Sequence, residues 1–133
     1  MGLDIYSSDR KMNFHIGYIG FSIMRAFFVL PCGDDAFLEY RNAMATLYMA
    51  FTNDFHDAVG DLIILIDHSD CGGRLSSQEC QKLIECLKID EDKIRNLDFK
   101  DKDRLEIYIR KMYDFRDIVN YCAEHKEVEL IFC

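Results

Sequence analysis

The sequence predicts a mainly α-helical domain, a compact bundle of about five helices with a minor two-stranded sheet pairing the two ends of the chain. Three observations predict it. Apolar residues recur at three- and four-residue steps through most of the interior, the spacing of helices with one buried face. One proline in 133 residues leaves little to interrupt those helices. At either end the period switches to two, in Gly2-Leu3-Asp4-Ile5-Tyr6 and in Glu127-Val128-Glu129-Leu130-Ile131-Phe132, as half-buried strands require. Pairing those strands would tie down ends that otherwise fray.

The elements follow in order. Tyr18 to Leu30 is an apolar helix stopped by Pro31 and Gly33. Asp34 or Asp35 caps a long second helix reaching residue 56, in which Phe37, Tyr40, Met44, Leu47, Tyr48, Phe51 and Phe55 form one apolar face. Asp57–Ile66 and Ser77–Leu87 are the third and fourth helices, and Ile89–Leu97 adds a short helical turn. The last helix, Asp101–His125, buries Leu105, Tyr108, Ile109, Met112, Phe115, Val119 and Cys122, and its outer face offers Glu106 and Arg110 as an i,i+4 ion pair.

Length suits a single domain over residues 1–133, large enough to bury a core without staples. Half of the residues are hydrophobic and 13% aromatic, which excludes a disordered chain. A formal net charge of −8 argues against direct nucleic-acid binding, where phosphate neutralisation supplies most of the affinity. No secretory signal precedes the six cysteines, at 32, 71, 80, 86, 122 and 133, so reduced thiols in the cytoplasm are expected. No apolar run is long enough for a membrane span.

The densest chemistry lies in Asp67-His68-Ser69-Asp70-Cys71-Gly72-Gly73-Arg74-Leu75-Ser76-Ser77-Gln78-Glu79-Cys80. Aligned as a calcium loop with Gly73 at position 6, it keeps Asp70, Leu75, Ser76 and Glu79 at positions 3, 8, 9 and 12. Position 1 becomes His68, a nitrogen ligand poorly suited to hard calcium, and position 5 becomes Gly72. Any metal would therefore rest on Asp70, Ser76 and Glu79. Ser76 and Glu79 also have the spacing of a capping box, which starts a helix with no metal. Zinc would draw on His68, Cys71, Cys80 and Cys86, but the two last point about 240° apart on a helix. Nucleophilic catalysis by Cys71 with His68 as base lacks an identifiable orienting group. No cofactor fingerprint occurs.

Tyr18, Phe21 and Arg25 share a helix face, and aromatics with one Arg suit a planar or anionic ligand. The structural alternative is a core face whose Arg25 pairs with Asp4 or Asp70. Arg41 on the second helix poses the same question, with Glu39 and Asp35 as neutralising neighbours, and His15 lies near the first cluster. His56 and His125 lie near helix ends.

Met1–Asp4, Tyr18-Ile19-Gly20-Phe21 followed by Arg25, His68–Cys80 and Phe132-Cys133 together resemble a group of small, uncharacterised bacterial and bacteriophage proteins. Those begin Met-Gly-Leu-Asp, carry a His-Ser-Asp-Cys-x-Gly-x-Leu/Ile-Ser-x-x-Glu-Cys core and end in Phe-Cys. They tend to have Asp where this chain has Gly72, a departure that removes a further carboxylate from the loop. The resemblance implies a microbial or phage setting. If the ends pair, Asp4 and Cys133 approach the 68–71 turn, and Tyr18, Phe21, Arg25, His68, Asp70 and Cys71 become the candidate ligand-binding residues. The leading expectation is a non-enzymatic cytoplasmic protein that binds a protein partner or a small anionic ligand, as a sequestering or inhibitory accessory factor. Its acidic helix face could also block a basic surface. A degenerate EF-hand-like metal module and a small enzyme using His68 with Cys71 or Asp70 are the alternatives.

Overall fold

A computed structural model describes residues 2–47, 50–69 and 72–133. The expected two-stranded sheet is corrected by a four-stranded antiparallel one, and the architecture is a mixed α/β domain. Strand β1 (Gly2–Ser7) pairs on one side with β2 (Asn13–Gly17) and on the other with β4 (Leu130–Phe132). Strand β3 (Arg74–Leu75) adds to the far side of β4, giving the order β2-β1-β4-β3. The first and last strands thus pair, but inside a larger sheet. β2 alternates Phe14 and Ile16 inward between exposed residues, a pattern of only five residues that runs straight into a helix. β3 has two residues and carries no readable period.

The turn between β1 and β2 is closed by side chains. The buried Ser7 Oγ donates to Asp9 Oδ1 at 2.7 Å and accepts from Met12 N–H at 2.9 Å. Asp9 Oδ2 accepts from the Tyr121 hydroxyl at 2.6 Å, which ties the hairpin to the last helix.

Helix α1 (Tyr18–Val29) and the long α7 (Lys102–Glu124) carry most of the core against the sheet. Phe115 sits at the centre, its ring 5.7 Å from Phe14, 6.4 Å from Phe21 and 6.1 Å from Phe28. A 3-10 turn at Leu30–Cys32, holding the proline, leads into α2 (Asp34–Thr46).

The expected continuous helix to residue 56 is corrected here. α2 stops at Thr46, and its cap Leu47 is left-handed at φ 59°. α3 (Asn53–Val59) then restarts from Thr52, whose hydroxyl accepts from Phe55 N–H while Glu39 takes Thr52 N–H and Oγ1–H, each at 2.7 Å. Phe51 stacks between Tyr40 and Phe55, with centroids at 6.2 and 4.1 Å. Tyr40, Phe51 and Phe55 of the expected face therefore meet between two helices, not along one, while Leu47 is exposed and Tyr48 lies outside the described residues. A 3-10 turn at Gly60–Leu62 separates α3 from α4 (Ile63–Ile66), so the expected 57–66 helix is broken.

α5 (Ser77–Ile84) packs on α7, and α6 (Glu91–Arg95) lies against the start of α7. Glu106 pairs with Arg95 of α6 through bonds of 2.7 and 3.1 Å, not with Arg110 as the spacing suggested, because a guanidinium fork holds a carboxylate two-handed. Among the described residues no helix is long and apolar enough to cross a membrane.

Candidate functional site

Arg25 reaches the site from the penultimate turn of α1. It is 6% exposed, and its guanidinium lies 4.6 Å from the centroid of Phe21, one turn back. Nη1 donates to the carbonyls of Ile66 and His68, each at 3.2 Å. The Ile66 carbonyl ends α4, where helix carbonyls lack intrahelical partners, and the His68 carbonyl follows two residues on. Nε is buried with no partner among the described residues. No carboxylate of the described residues pairs with Arg25: Asp4, one alternative, instead bonds His15 Nδ1 at 2.7 Å. Among the described residues the hydrogen-bond acceptors of Arg25 are neutral carbonyls, which compensate a buried guanidinium only in part.

His68 stands beside it on the segment leaving α4. Its Nδ1 lies 2.7 Å from Ser69 O, and its ring packs on Phe132 with centroids 4.0 Å apart. Gly73, at φ 108°, also lies close to the ring, where a Cβ would sit 3.2 Å from the imidazole. Phe132 N–H donates to Gly73 O, so the last strand fixes both the turn and the ring. The sheet is thus what orients His68.

Arg25 and His68 line one open pocket of about 340 Å³, with Ser22, Met44, Leu47 and Asp67 contributing to its walls. That size lies near the lower end of small-ligand sites. Leu47 is 86% exposed in its left-handed cap, a large apolar side chain spent on the pocket wall and not the core. Asp67 is the one carboxylate among the described lining residues and restrains anion affinity.

The sequence placed Tyr18 with Arg25, and the structure separates them. Seven residues of helix are about 10 Å of rise, so Tyr18 opens onto a different groove against α7. Phe21 is core, the platform under Arg25. Asp70 and Cys71 lie outside the described residues. Ser76 and Glu79 form the full capping box of α5: Ser76 Oγ accepts Glu79 N–H at 3.1 Å, and Glu79 Oε1 accepts Ser76 N–H at 3.0 Å. Ser22, Met44, Leu47 and Asp67 were not anticipated as site residues. Leu47 was hidden because it fits the apolar face of a helix that ends one residue earlier.

Among the described residues no three His, Cys, Asp or Glu side chains converge to hold a metal ion. Cys80 of α5 and Cys122 of α7 are both buried and interact. That interaction and burial push the Cys80 thiol up, and the same interaction lowers Cys122. Cys86 lies half-buried, with burial raising its thiol. Arg41 lies over the Phe37 ring at 5.8 Å, while its expected neighbour Glu39 is occupied by Thr52. His125 stacks on Tyr121 and lies 2.7 Å from its carbonyl, a cap for α7, and His56 sits edge-on to Phe51 and Phe55.

The fold and site define a class, a small α/β domain with a cation-floored pocket where α1, the end of α2 and the segment leaving α4 meet. No family model, curated protein sequence or solved structure matches the chain.

Proposed function

We propose that this protein is a non-enzymatic binding protein of the cytoplasm whose Arg25–His68 pocket holds the anionic group of a small ligand or of a partner protein's side chain. The observation that carries this reading is Arg25: 6% exposed, without a carboxylate among the described residues, with an unpartnered Nε, beside a pocket open to solvent. An anion there would supply the charge that two carbonyls only approximate. The imidazole of His68 adds a second ring donor or acceptor, and Leu47 and Met44 supply apolar contact for the rest of the ligand. The biological form of this reading is a sequestering accessory factor in a microbial or phage setting.

The test is thermal unfolding with inorganic phosphate, sulfate, acetate and adenosine monophosphate as separate probes. A ligand at about 100 times its Kd stabilises the native state by about 2.7 kcal/mol. The reading expects at least one probe to raise Tm, and Arg25→Gln to abolish that rise while the variant still unfolds cooperatively. No rise with any probe, or an equal rise in Arg25→Gln, would overturn it.

A further inference from the structure

We infer that the outer edge of β2, with the groove beside it, docks an extended acidic segment of a partner protein as an added strand. The edge is open. β2 is the first strand of the sheet and pairs only with β1 among the described residues. Its register shows which backbone groups face outward. Asp4 exchanges both backbone bonds with Cys133, at 3.0 and 2.8 Å, so its N–H and C=O point toward β4. Asp4 is paired across β1 with His15, which makes that a non-hydrogen-bonded pair. The N–H and C=O of His15, and by alternation those of Asn13, therefore point away from the sheet. No proline blunts this edge, and an unpaired edge is a template for another strand.

One group guards it. Lys111 of α7 donates Nζ–H to His15 O at 2.7 Å, and its ammonium lies 5.3 Å from the Phe14 ring centroid. A half-buried lysine laid on an edge carbonyl is a reversible cover. An arriving strand that donates its own N–H to His15 O frees the ammonium for a carboxylate on that strand.

The adjoining groove, about 590 Å³, gives the chemistry of the partner. Ile19 and Ile107 project into it at 79% and 56% exposure, with Tyr18 and Tyr108 beside them. Its ionisable lining beyond the tyrosines is His15, Arg104 and Lys111, with no Asp or Glu, in a chain whose formal net charge is −8. His15 and Arg104 contact Asp4 and Asp101 only in exposed pairs, which hold little energy. The floor is apolar, the rim is basic, and the wall is a strand edge. These three features fit an extended segment that alternates acidic and large apolar residues. A second copy of this chain would bring two basic rims together, which disfavours edge-to-edge self-pairing.

The experiment is fluorescence anisotropy with a panel of labelled octapeptides alternating Glu with Ile, Val or Leu in both registers. At least one is expected to bind, and N-methylation of alternate amides on its β2-facing edge is expected to weaken it about tenfold or more, since each lost bond removes part of a 1.4 kcal/mol step. Because that change is on the peptide, it leaves the protein's folding untouched. Ile19→Ser and the Arg104→Glu, Lys111→Glu double variant, checked for folding by circular dichroism, are expected to weaken binding, and rising salt to do the same. Four results would each overturn the inference: no binding by any member, equal binding after N-methylation, equal binding of the matching Lys peptides, or a β2-mediated dimer that no peptide dissociates. Arg25→Gln is expected to leave this binding unchanged, so its outcome is independent of the anion pocket.

Discussion

Asp9 shows how much one exposed carboxylate can be asked to hold. It accepts from Tyr121, Ser7 and the Lys11 amide, and these bonds, Tyr121 first, draw its pKa from the ordinary 3.8 to about 2. The Tyr121 hydroxyl is pushed up to about 12 by the same bond. A carboxylate depressed on folding stabilises the native state above its unfolded value. That contribution fades as pH falls from about 4 through about 2. Asp9→Asn is therefore expected to flatten the acid limb of stability in that window, and Tyr121→Phe to return the Asp9 titration toward 3.8, as read by carbon-detected NMR. Leu47 makes the opposite bargain. A left-handed leucine, 86% exposed, carries strain of about 1–2 kcal/mol with little burial in return. Leu47→Gly is expected to raise stability in urea unfolding by about 0.5–1 kcal/mol, since glycine suits a left-handed helix cap. If Leu47 is a pocket wall, the same change weakens any anion that Arg25 holds.

Among the elements, α5 owes its start to Ser76 and Glu79, and Ser77 then fastens it by donating to Cys122 O at 2.8 Å. Ser76→Ala is expected to cost about 1 kcal/mol in chemical unfolding, with a dependence on calcium no greater than the parent's. The strand at 2–6, the last half of the alternating stretch 127–132, the helices beginning at Tyr18 and Ser77 and the capping box were legible because each is written in local sequence. What was not legible depends on distance. β3 exists only because β4 offers an edge to Arg74 and Leu75. The break at Leu47 exists because Phe51 gains two aromatic partners by folding back, and periodicity cannot distinguish a face along one helix from a face shared by two. The site was half legible for the same reason. Arg25 and His68 stood out by type, and a capped carbonyl joins them, while Tyr18 matched Arg25 in phase but not in height.

For the molecule as a whole, the sheet order decides what a change can disturb. β4 lies inside the sheet, between β1 and β3, and Phe132 meets both Phe21 and His68. Removing residues 128–133 is expected to abolish cooperative unfolding, seen as loss of the sigmoidal denaturation curve, because it takes out an interior strand and one wall of the core. The exchange of backbone bonds between Asp4 and Cys133 has a further consequence. Cys133 lies opposite Asp4 on antiparallel neighbours, two residues in from Gly2, so a short turn can join residues 133 and 2 and the backbone becomes a ring that is opened elsewhere without redrawing the sheet. A circular permutant cut between the exposed Lys100 and Asp101, keeping Asp101 as the cap of α7, is expected to fold with the parent's circular dichroism. In that permutant the strand pair that now waits for the last residues to be made becomes a local hairpin, and the fold is expected to form faster.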